Sequence, residues 1–415
     1  MATVAIRSDD AYVGLGKQAV QGTAVAPTIF PRWFDGSSIE IDLKAEDVRE
    51  GDGSRRLSTI IKNLQQAKIK LVCTPRPIEA GFLEQAALGA GADTPTAAAT
   101  STTTSGASNT AGSTSLTLVA NTGLTSSGSA TLMIEPGTAN EEIVTVTTPG
   151  TGAGPFVYTI TAPATGLAFT HTAGVAVRSA TLHVETDQPV LSYFSVEIGL
   201  GSLNSQGGQT FRVRDCVVES LKRSGKAGGL LMYEVELVGL VTVQQGSPST
   251  VTLEAHAPIL FVNGVWTLDG VTTGDALNVE SFDLTTKDNA DLVQTEGLTG
   301  VSLIGGKLDV AATFMLVYQA TSTYVNRVYF GGAVGTTDSQ TLYTGSLTLL
   351  FTSADGFHTV QYKVLTLAYT KVTMPVPKAD GKHFTFGLQA TSTSAQGANA
   401  YVIQTTVGNS QTAAY

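Results

Sequence analysis

Residues 67–89 read AKIKLVCTPRPIEAGFLEQAALG, and this stretch joins a strand pattern directly to a helix pattern. Alternate positions up to Cys73 are apolar, which is typical of a β-strand with one buried face. Thr74 can then cap a helix that has prolines in its first turn and is ended by Gly89. We expect one apolar helix face, made by Ile78, Phe82, Leu83 and Ala86.

The same succession occurs a second time, in residues 307–332, which read KLDVAATFMLVYQATSTYVNRVYFGG. A strand pattern is followed by a helix from about residue 322 to residue 329. The surroundings match as well, because Trp33 precedes a predicted strand at 38–43 and Trp266 precedes one at 276–284. A repeated order of elements predicts two copies of one domain.

The rest of the chain is typical of β-structure. Thr, Val, Ser and Gly dominate, and turn residues recur at short intervals. Further predicted strands lie at 180–184, 192–199, 232–243, 342–351, 362–372 and 383–390. We therefore predict a mainly β protein with two β-sandwich or barrel domains, each flanked by one helix.

An insertion separates the first helix from its later strands. Residues 93–113 are almost wholly Thr, Ala, Ser and Gly, so they cannot bury a core and are interpreted as a linker. Short predicted strands follow, at 115–119, 130–135, 141–147 and 156–161. The predicted domains are a first one from 1–92 plus 179–245, an inserted linker and small β-module at 93–178, and a second domain at 246–415.

The composition indicates that much of the surface is covered by further copies of the same chain. Charged residues make up 14% of the chain, against about a quarter in ordinary soluble domains. The net charge of −10 argues against sequence-specific DNA binding. It is compatible with a protein that lets DNA slide along its surface without binding it.

The sequence contains neither a disulfide pattern nor a targeting or membrane-spanning segment that we recognise. Cys73 and Cys216 lie in apolar, strand-like runs, so we expect buried free thiols. The first residues have neither a basic nor an apolar signal region, and no run approaches 18 apolar residues. We therefore expect no signal peptide and no membrane span.

Charge is segregated between residues 40 and 70. Six acids lie in 40–52, whereas 53–70 holds five basic residues and no acid. If this stretch is a hairpin, its arms attract each other, and an identical copy stacked above can meet it with opposite charge. The alternative is an ordinary solvated hairpin whose ion pairs contribute little. The predicted contact residues between copies are Glu46, Asp47, Arg49, Glu50, Asp52, Arg55, Arg56 and Lys62.

Several stretches resemble the major tail tube proteins of bacteriophages with long, non-contractile tails. They are the opening VGLGKQAVQGTAVAP at 13–27, Arg32-Trp33, EGDG at 50–53 and Lys62-Asn63. The order of elements outside about 93–178 is similar to that family too. The inserted module departs from the simplest family pattern.

The resemblance implies a structural protein. It implies that an inner sheet joins neighbours into a ring, that rings stack into a tube, and that the genome passes through the lumen without specific binding. A duplicated chain implies homotrimeric, pseudo-hexameric rings, with the module outside. Implied partners are the tape measure, tail terminator and baseplate or tail tip proteins, and the implied location is the virion tail, assembled in the host cytoplasm.

Catalytic and ligand motifs are incomplete. Gly14-Leu-Gly-Lys17 lacks the spacing of a phosphate loop, and the five histidines form no metal-binding pair. Residues 288–291 lack the further oxygen ligands of a calcium loop. Glu141 and Glu142 would point to opposite faces of a strand. We expect no enzyme activity, no metal and no cofactor.

Two other functional classes stay open. One is a phage surface-binding β-protein, such as a tail fibre, decoration protein or adhesin, which the inserted module also fits. The other is a glycosidase on a β-scaffold, which needs two placed carboxylates.

Overall fold

The protein is mainly β, as the sequence predicts, and its described residues form many strands and two helices. The computed structural model describes residues 11–42, 46–48, 59–61, 66–89, 95, 100–103, 109–120, 129–135, 140, 142–147, 155–179, 181–188, 190–200, 209–245, 247–262, 264–269, 271–272, 278–293, 302–318, 323–332, 336–353, 358–374, 384–393, 401–411 and 415.

The first half of the chain begins with five strands and a helix. They are β1 (Tyr12–Lys17), β2 (Ser38–Asp42), β3 (Glu46–Val48), β4 (Thr59–Ile61), β5 (Gln66–Cys73) and α1 (Pro77–Leu88). A six-stranded module follows: β6 (Thr100–Thr102), β7 (Ser115–Leu118), β8 (Ser129–Ile134), β9 (Glu142–Thr147), β10 (Phe156–Ala162) and β11 (Ala176–Arg178). The first half then resumes with β12 (Thr181–Thr186), β13 (Phe194–Leu200), β14 (Gln209–Lys226), β15 (Met232–Gly239) and β16 (Val241–Gln245).

The second half contains ten strands and a shorter helix. They are β17 (Val265–Leu268), β18 (Val271–Thr272), β19 (Val279–Lys287), β20 (Asp291–Val293), β21 (Ser302–Ile304), β22 (Asp309–Val317), α2 (Tyr324–Phe330), β23 (Thr344–Thr352), β24 (Thr359–Thr373), β25 (Thr385–Ser392) and β26 (Gln404–Asn409). The predicted runs lie in these strands, with ends shifted by a few residues, except that the run at 232–243 is divided between β15 and β16.

Both halves pair their strands in the same order. The order is β2-β5-β15-β14-β13-β1 in the first half and β19-β22-β25-β24-β23-β17 in the second. β16 lies beside β14 as β26 lies beside β24. The hairpin β3–β4 follows β2, as the hairpin β20–β21 follows β19. The repeated order that the sequence indicates is therefore present in the strand pairing.

The registers of the two halves also agree, including their irregularities. Between β14 and β15, the pairing steps from Val218–Leu237 to Ser220–Glu236 and leaves out one residue of β14. Between β24 and β25, it steps from Tyr369–Ala390 to Lys371–Gln389 and leaves out one residue of β24. A bulge of this kind bends and twists a strand locally, so both halves bend their longest strand at the same place.

One row of paired residues fixes the correspondence across the sheet. In the first half the row is Val218, Leu237, Ile69 and Ile39. In the second half it is Tyr369, Ala390, Ala312 and Leu284. We call residues equivalent when they occupy the same place in these matching pairings.

The halves are joined edge to edge. β14 pairs with β19, and β12 pairs with β26, so sixteen of the described strands form one antiparallel sheet. One cluster of buried apolar residues runs through both halves. The module strands form a separate sheet with a separate apolar core.

The helix α1 lies where predicted, but its cap and burial differ from the prediction. Thr74 does not cap it, because the N-cap residue is Arg76 and no side chain of the cap bonds the helix. Instead the Glu254 carboxylate accepts hydrogen bonds of 3.0 Å from the backbone N–H groups of Ile78 and Glu79. Gly89 ends the helix with a φ of 101°, a conformation that favours glycine.

The single apolar face expected for α1 is wrong in extent. Eleven of its twelve residues are buried, and Ile78 is the one that is not. The physical reason is that α1 contacts strands of both halves, β12 and β14 of the first and β24 and β26 of the second. By contrast, only Tyr324 is buried in α2, which ends at Gly331.

Candidate functional site

The junction between the halves is the place where β14 lies beside β19. Leu221 lies opposite Thr286, and Arg223 lies opposite Leu284. All four side chains are buried, with 2% exposure or less. On the opposite face of the same strands, the Lys222 ammonium lies 3.3 Å from the Asp283 carboxylate. The junction therefore has a buried side toward the core and a charged side toward solvent.

The helix α1 is fixed to this junction by a buried ion pair. The carboxylate of Glu84 accepts two hydrogen bonds from the Arg223 guanidinium, that from Nε at 2.9 Å. Nη1 of Arg223 donates to Oγ1 of Thr286 at 3.0 Å, and the Thr405 hydroxyl donates to Glu84 at 3.2 Å. These four side chains come from α1, β14, β19 and β26, so the ion pair connects both halves.

Two buried tyrosines complete the same network. The hydroxyls of Tyr233 and Tyr362 share a hydrogen bond, and the Arg223 guanidinium lies 5.2 Å from the centre of the Tyr362 ring. Burial, and then the negative charge of Glu84, raise the pKa of both tyrosines well above the ordinary value. The network is thus closed to solvent and supports the position of α1; it presents no nucleophile to a substrate.

One end of the sheet is the open edge of β2. In the described part of the chain, β2 pairs with β5 on one side and with no strand on the other. Ile39 and Ile41 lie opposite the buried residues Ile69 and Ala67, yet they are 41% and 48% exposed. Their equivalents in the second half, Leu284 and Thr286, are buried because β14 covers that edge.

A further open edge among the described strands is the last part of β24. One side of this part pairs with β25 as far as Thr373. On the other side, the described contacts end where the Tyr369 N–H donates to the Tyr343 carbonyl. Lys371, Thr373 and Met374 beyond that point are exposed. Met374 is 51% exposed, whereas its equivalent Arg223 is buried against β19.

The hairpin β20–β21 of the second half packs on the first half. Leu303 is buried in a cluster with Leu191, Val217, Val238 and Leu240. The hydroxyl of Tyr193 donates to the Leu303 carbonyl at 2.8 Å. This hairpin therefore holds the first half from outside the β14–β19 junction.

Leu191, which this hairpin covers, has an exposed equivalent in the second half of the chain. Phe194 and Gly345 are equivalent because each begins the same irregular step in the pairing with the long strand. Three residues earlier stand Leu191 and Leu342 respectively. Leu191 is 8% exposed, whereas Leu342 is 62% exposed.

The predicted contact residues lie on and beyond the hairpin β3–β4. Glu46 and Asp47 are in β3, which pairs with β4. Arg49, Glu50, Asp52, Arg55, Arg56 and Lys62 lie outside the described residues. The acidic and basic arms do pair, since Glu40 lies opposite Lys68 in the β2–β5 ladder.

Sequence reasoning missed the open edges at β2 and β24. Ile39 and Ile41 alternate with Glu40 and Asp42, which indicates a strand with one apolar face. That signal is the same for a central and an edge strand, because it reports which face is buried and not which neighbour is present.

Residues of the ligand motifs named above lie in paired strands or in buried contacts. Gly14 and Lys17 lie in β1, in register with Glu197 and Phe194 of β13. His171 of the module is buried, 3.0 Å from Glu135 and bonded also to Glu142. Cys73 and Cys216 are buried free thiols, as predicted, and burial raises their pKa.

The described residues hold no group of three or more His, Cys, Asp or Glu side chains that could bind a metal ion. No helix among them is both long and apolar enough to cross a membrane.

Comparison with protein-family models gave no match to the chain, and neither did comparison with curated protein sequences.

Proposed function

We propose that this chain is a structural subunit of a bacteriophage tail tube. Copies of it form homotrimeric, pseudo-hexameric rings, and the rings stack into the channel through which the genome passes. In this proposal the chain has a structural role, which it fulfils by assembling with copies of itself, and it catalyses no reaction.

The observation that supports the proposal is the edge-to-edge union of two equivalent halves. The halves share one order of strands, and β14 of the first accepts β19 of the second as its neighbour. The described strands leave an open edge at β2 and another at β24. Exposed strand edges are a liability in a monomer, and a ring removes them by pairing each one with a neighbour.

The charge distribution agrees with a channel for DNA. The net charge is −10, so the chain as a whole does not attract phosphates. On the solvent side of the first half, cations lie beside acids: Lys70 forms an ion pair with Glu234, and Lys222 with Asp283. If this side of the sheet faces the lumen, its cations are already neutralised and DNA slides past them.

The hairpin β3–β4 and the charged residues near it are proposed to contact the next ring. The partners proposed from the family resemblance are the tape measure, tail terminator and baseplate or tail tip proteins. The proposed location is the virion tail, after assembly in the host cytoplasm.

Negative-stain electron microscopy of the purified protein tests this function. We expect stacked rings or tubes whose end views show three chains and six similar lobes. Native mass spectrometry at low concentration is expected to give a trimer as the smallest assembled species. A protein that stays monomeric at high concentration, and under conditions that promote phage tail assembly, would contradict the proposal.

The alternative is a phage surface-binding protein, such as a tail fibre, decoration protein or adhesin. The observation that favours it is the module β6–β11, which has a sheet and a core of its own. Isolated trimeric fibres in the same micrographs, without rings, would support this alternative.

A further inference from the structure

We infer that the open edge of β2 in one copy pairs antiparallel with the last part of β24 in a second copy, in the register that β14 and β19 use within the chain. This inference rests on the proposed function and makes it specific. It names the two surfaces that meet, the residues that lie opposite each other and the helix that covers them.

The register follows from the equivalence of the halves. Inside the chain, Ser220 lies opposite Lys287, and each following residue of β14 lies opposite the preceding residue of β19. The β14 bulge has its counterpart in β24, so Ser220 is equivalent to Lys371. The row through Ile39 and Leu284 likewise makes Asp42 equivalent to Lys287. Between copies, Lys371 therefore lies opposite Asp42.

The remaining pairs of the junction follow in order. Val372 lies opposite Ile41, Thr373 opposite Glu40, and Met374 opposite Ile39. Val372 and Met374 are equivalent to Leu221 and Arg223, whose side chains point to the core side of the internal junction.

The chemistry of these pairs supports the register. Ile39, Ile41 and Met374 are 41%, 48% and 51% exposed in the single chain, and all three are on the side that the internal junction buries. Pairing them removes apolar surface from water, and it sets a basic residue, Lys371, opposite an acidic one, Asp42. A slip of one residue would turn the apolar side chains of one strand to the opposite face. A slip of two residues would set Ile41 opposite the polar Thr370 in one direction, and in the other it would set Lys371 opposite Lys44 instead of Asp42.

A second contact follows from the hairpins. Inside the chain, β20–β21 covers Leu191 of the first half. The equivalent hairpin is β3–β4, and the equivalent of Leu191 is Leu342, which is 62% exposed. The same arrangement between copies places β3–β4 of one copy over Leu342 of its neighbour. The hairpin then joins neighbours within one ring, whatever further contacts its charged tip makes with the ring above.

Disulfide trapping tests the register. Directly opposed residues of antiparallel strands have Cα atoms about 4.5–5.5 Å apart, within the range that a disulfide bridges. The double variant Ile41→Cys/Val372→Cys is assembled, oxidised, quenched with an alkylating reagent and run on a non-reducing gel. We expect covalent dimers and trimers and no larger species, because a closed three-chain ring has no free end.

The matched control is Ile39→Cys/Val372→Cys, which tests the two-residue slip. The Cα atoms of its two cysteines would be about 8 Å apart in the proposed register, which is too far for a disulfide bond. We expect at least a tenfold lower yield of covalent species than from the opposed pair. The native thiols of Cys73 and Cys216 are buried, so the wild-type protein serves as the background.

The outcomes separate the inference from the function. Tubes that form normally while the opposed pair gives no more disulfide than the control would overturn the junction and leave the tube function standing. No assembly of the wild-type protein would overturn both.

Charge exchange gives an independent measurement that needs no oxidation. Lys371→Asp and Asp42→Lys are each expected to reduce the sedimentable assembled fraction at least fivefold, because two like charges then lie opposite each other. The double variant Lys371→Asp/Asp42→Lys is expected to restore assembly. Circular dichroism shows whether each single variant is folded, and failure of the double variant to assemble better than the folded single variants would overturn the pairing.

Discussion

Arg223 and its counterpart Met374 occupy equivalent positions, one at the junction inside the chain and one at the edge where we propose that copies meet. Arg223 is buried and bonded to Glu84 at a junction that exists as soon as the chain folds. Met374 occupies the equivalent place at an edge that is open in the single chain. A methionine can be exposed before assembly and buried after it at little cost in free energy. Taking an exposed arginine and glutamate out of water costs more, because both charges lose their hydration.

The variant Arg223→Met is predicted to destabilise the folded chain strongly. Glu84 would remain buried without its cation, which costs about 3–5 kcal/mol of unfolding free energy. Urea denaturation followed by tryptophan fluorescence measures the change. The double variant Arg223→Met/Glu84→Gln is the control, and we expect it to regain a large part of the loss. Equal stability of the wild type and the single variant would show that the ion pair does not hold the halves together.

Glu79 is predicted to make stability depend on pH. Burial, and then the Glu254 carboxylate, raise the pKa of Glu79 from an ordinary 4.5 to about 8. Between these values the folded chain keeps a proton that the unfolded chain releases, so the free energy of unfolding falls as the pH rises. Urea denaturation at about pH 5.5 and pH 8.5 should show a smaller difference for Glu79→Gln than for the wild type. An unchanged difference would contradict the prediction.

At the level of elements, the sequence predicts much of the order of strands and helices along the chain, but little about which strands lie at the edges of the sheet. The alternation in 67–73 and the Pro and Gly signals around α1 are local, so strand, helix and their succession are predictable. The bulges in β14 and β24 are not, because they depend on which residue of the paired strand lies opposite. The same holds for the cap of α1, which comes from Glu254, a residue far along the chain.

Deletion of residues 48–64 is predicted to separate folding from assembly. The hairpin β3–β4 is a two-stranded sheet of its own, so its loss leaves the sixteen-stranded sheet intact. We expect a soluble, folded subunit by circular dichroism that forms no tubes by electron microscopy. Normal tubes from this variant would show that the hairpin is dispensable for both ring closure and ring stacking.

At the level of the whole molecule, the module is predicted to be removable. Thr100 of β6 lies opposite Arg178 of β11, so the chain enters and leaves the module at neighbouring points. Replacing residues 101–177 with a short Gly-Ser linker should therefore keep the fold. If the module lies outside the tube, micrographs will show a narrower outer diameter with an unchanged channel. A narrower or blocked channel in the wild type than in the variant would place the module inside.

The whole-molecule arrangement is the least predictable from sequence. The repeated succession around residues 67–89 and 307–332 indicates two copies, but it does not say that β14 and β19 join them into one sheet. That joining depends on the exposed edge of one half fitting the other, which no local pattern reports. The predicted contact hairpin followed from charge alone, whereas the apolar edge residues Ile39, Ile41 and Met374 became visible only once their exposure was known.

If the chain assembles as proposed, the covalent link between the halves also changes the kinetics of assembly. In the proposed ring, every second junction forms during folding, where the two edges are held at a high effective concentration. Only the remaining junctions need collisions between separate chains, so ring nucleation has half the reaction order that six separate domains would require. The onset of assembly should consequently depend less steeply on protein concentration, which lets tubes start while the subunit is still scarce in the infected cell.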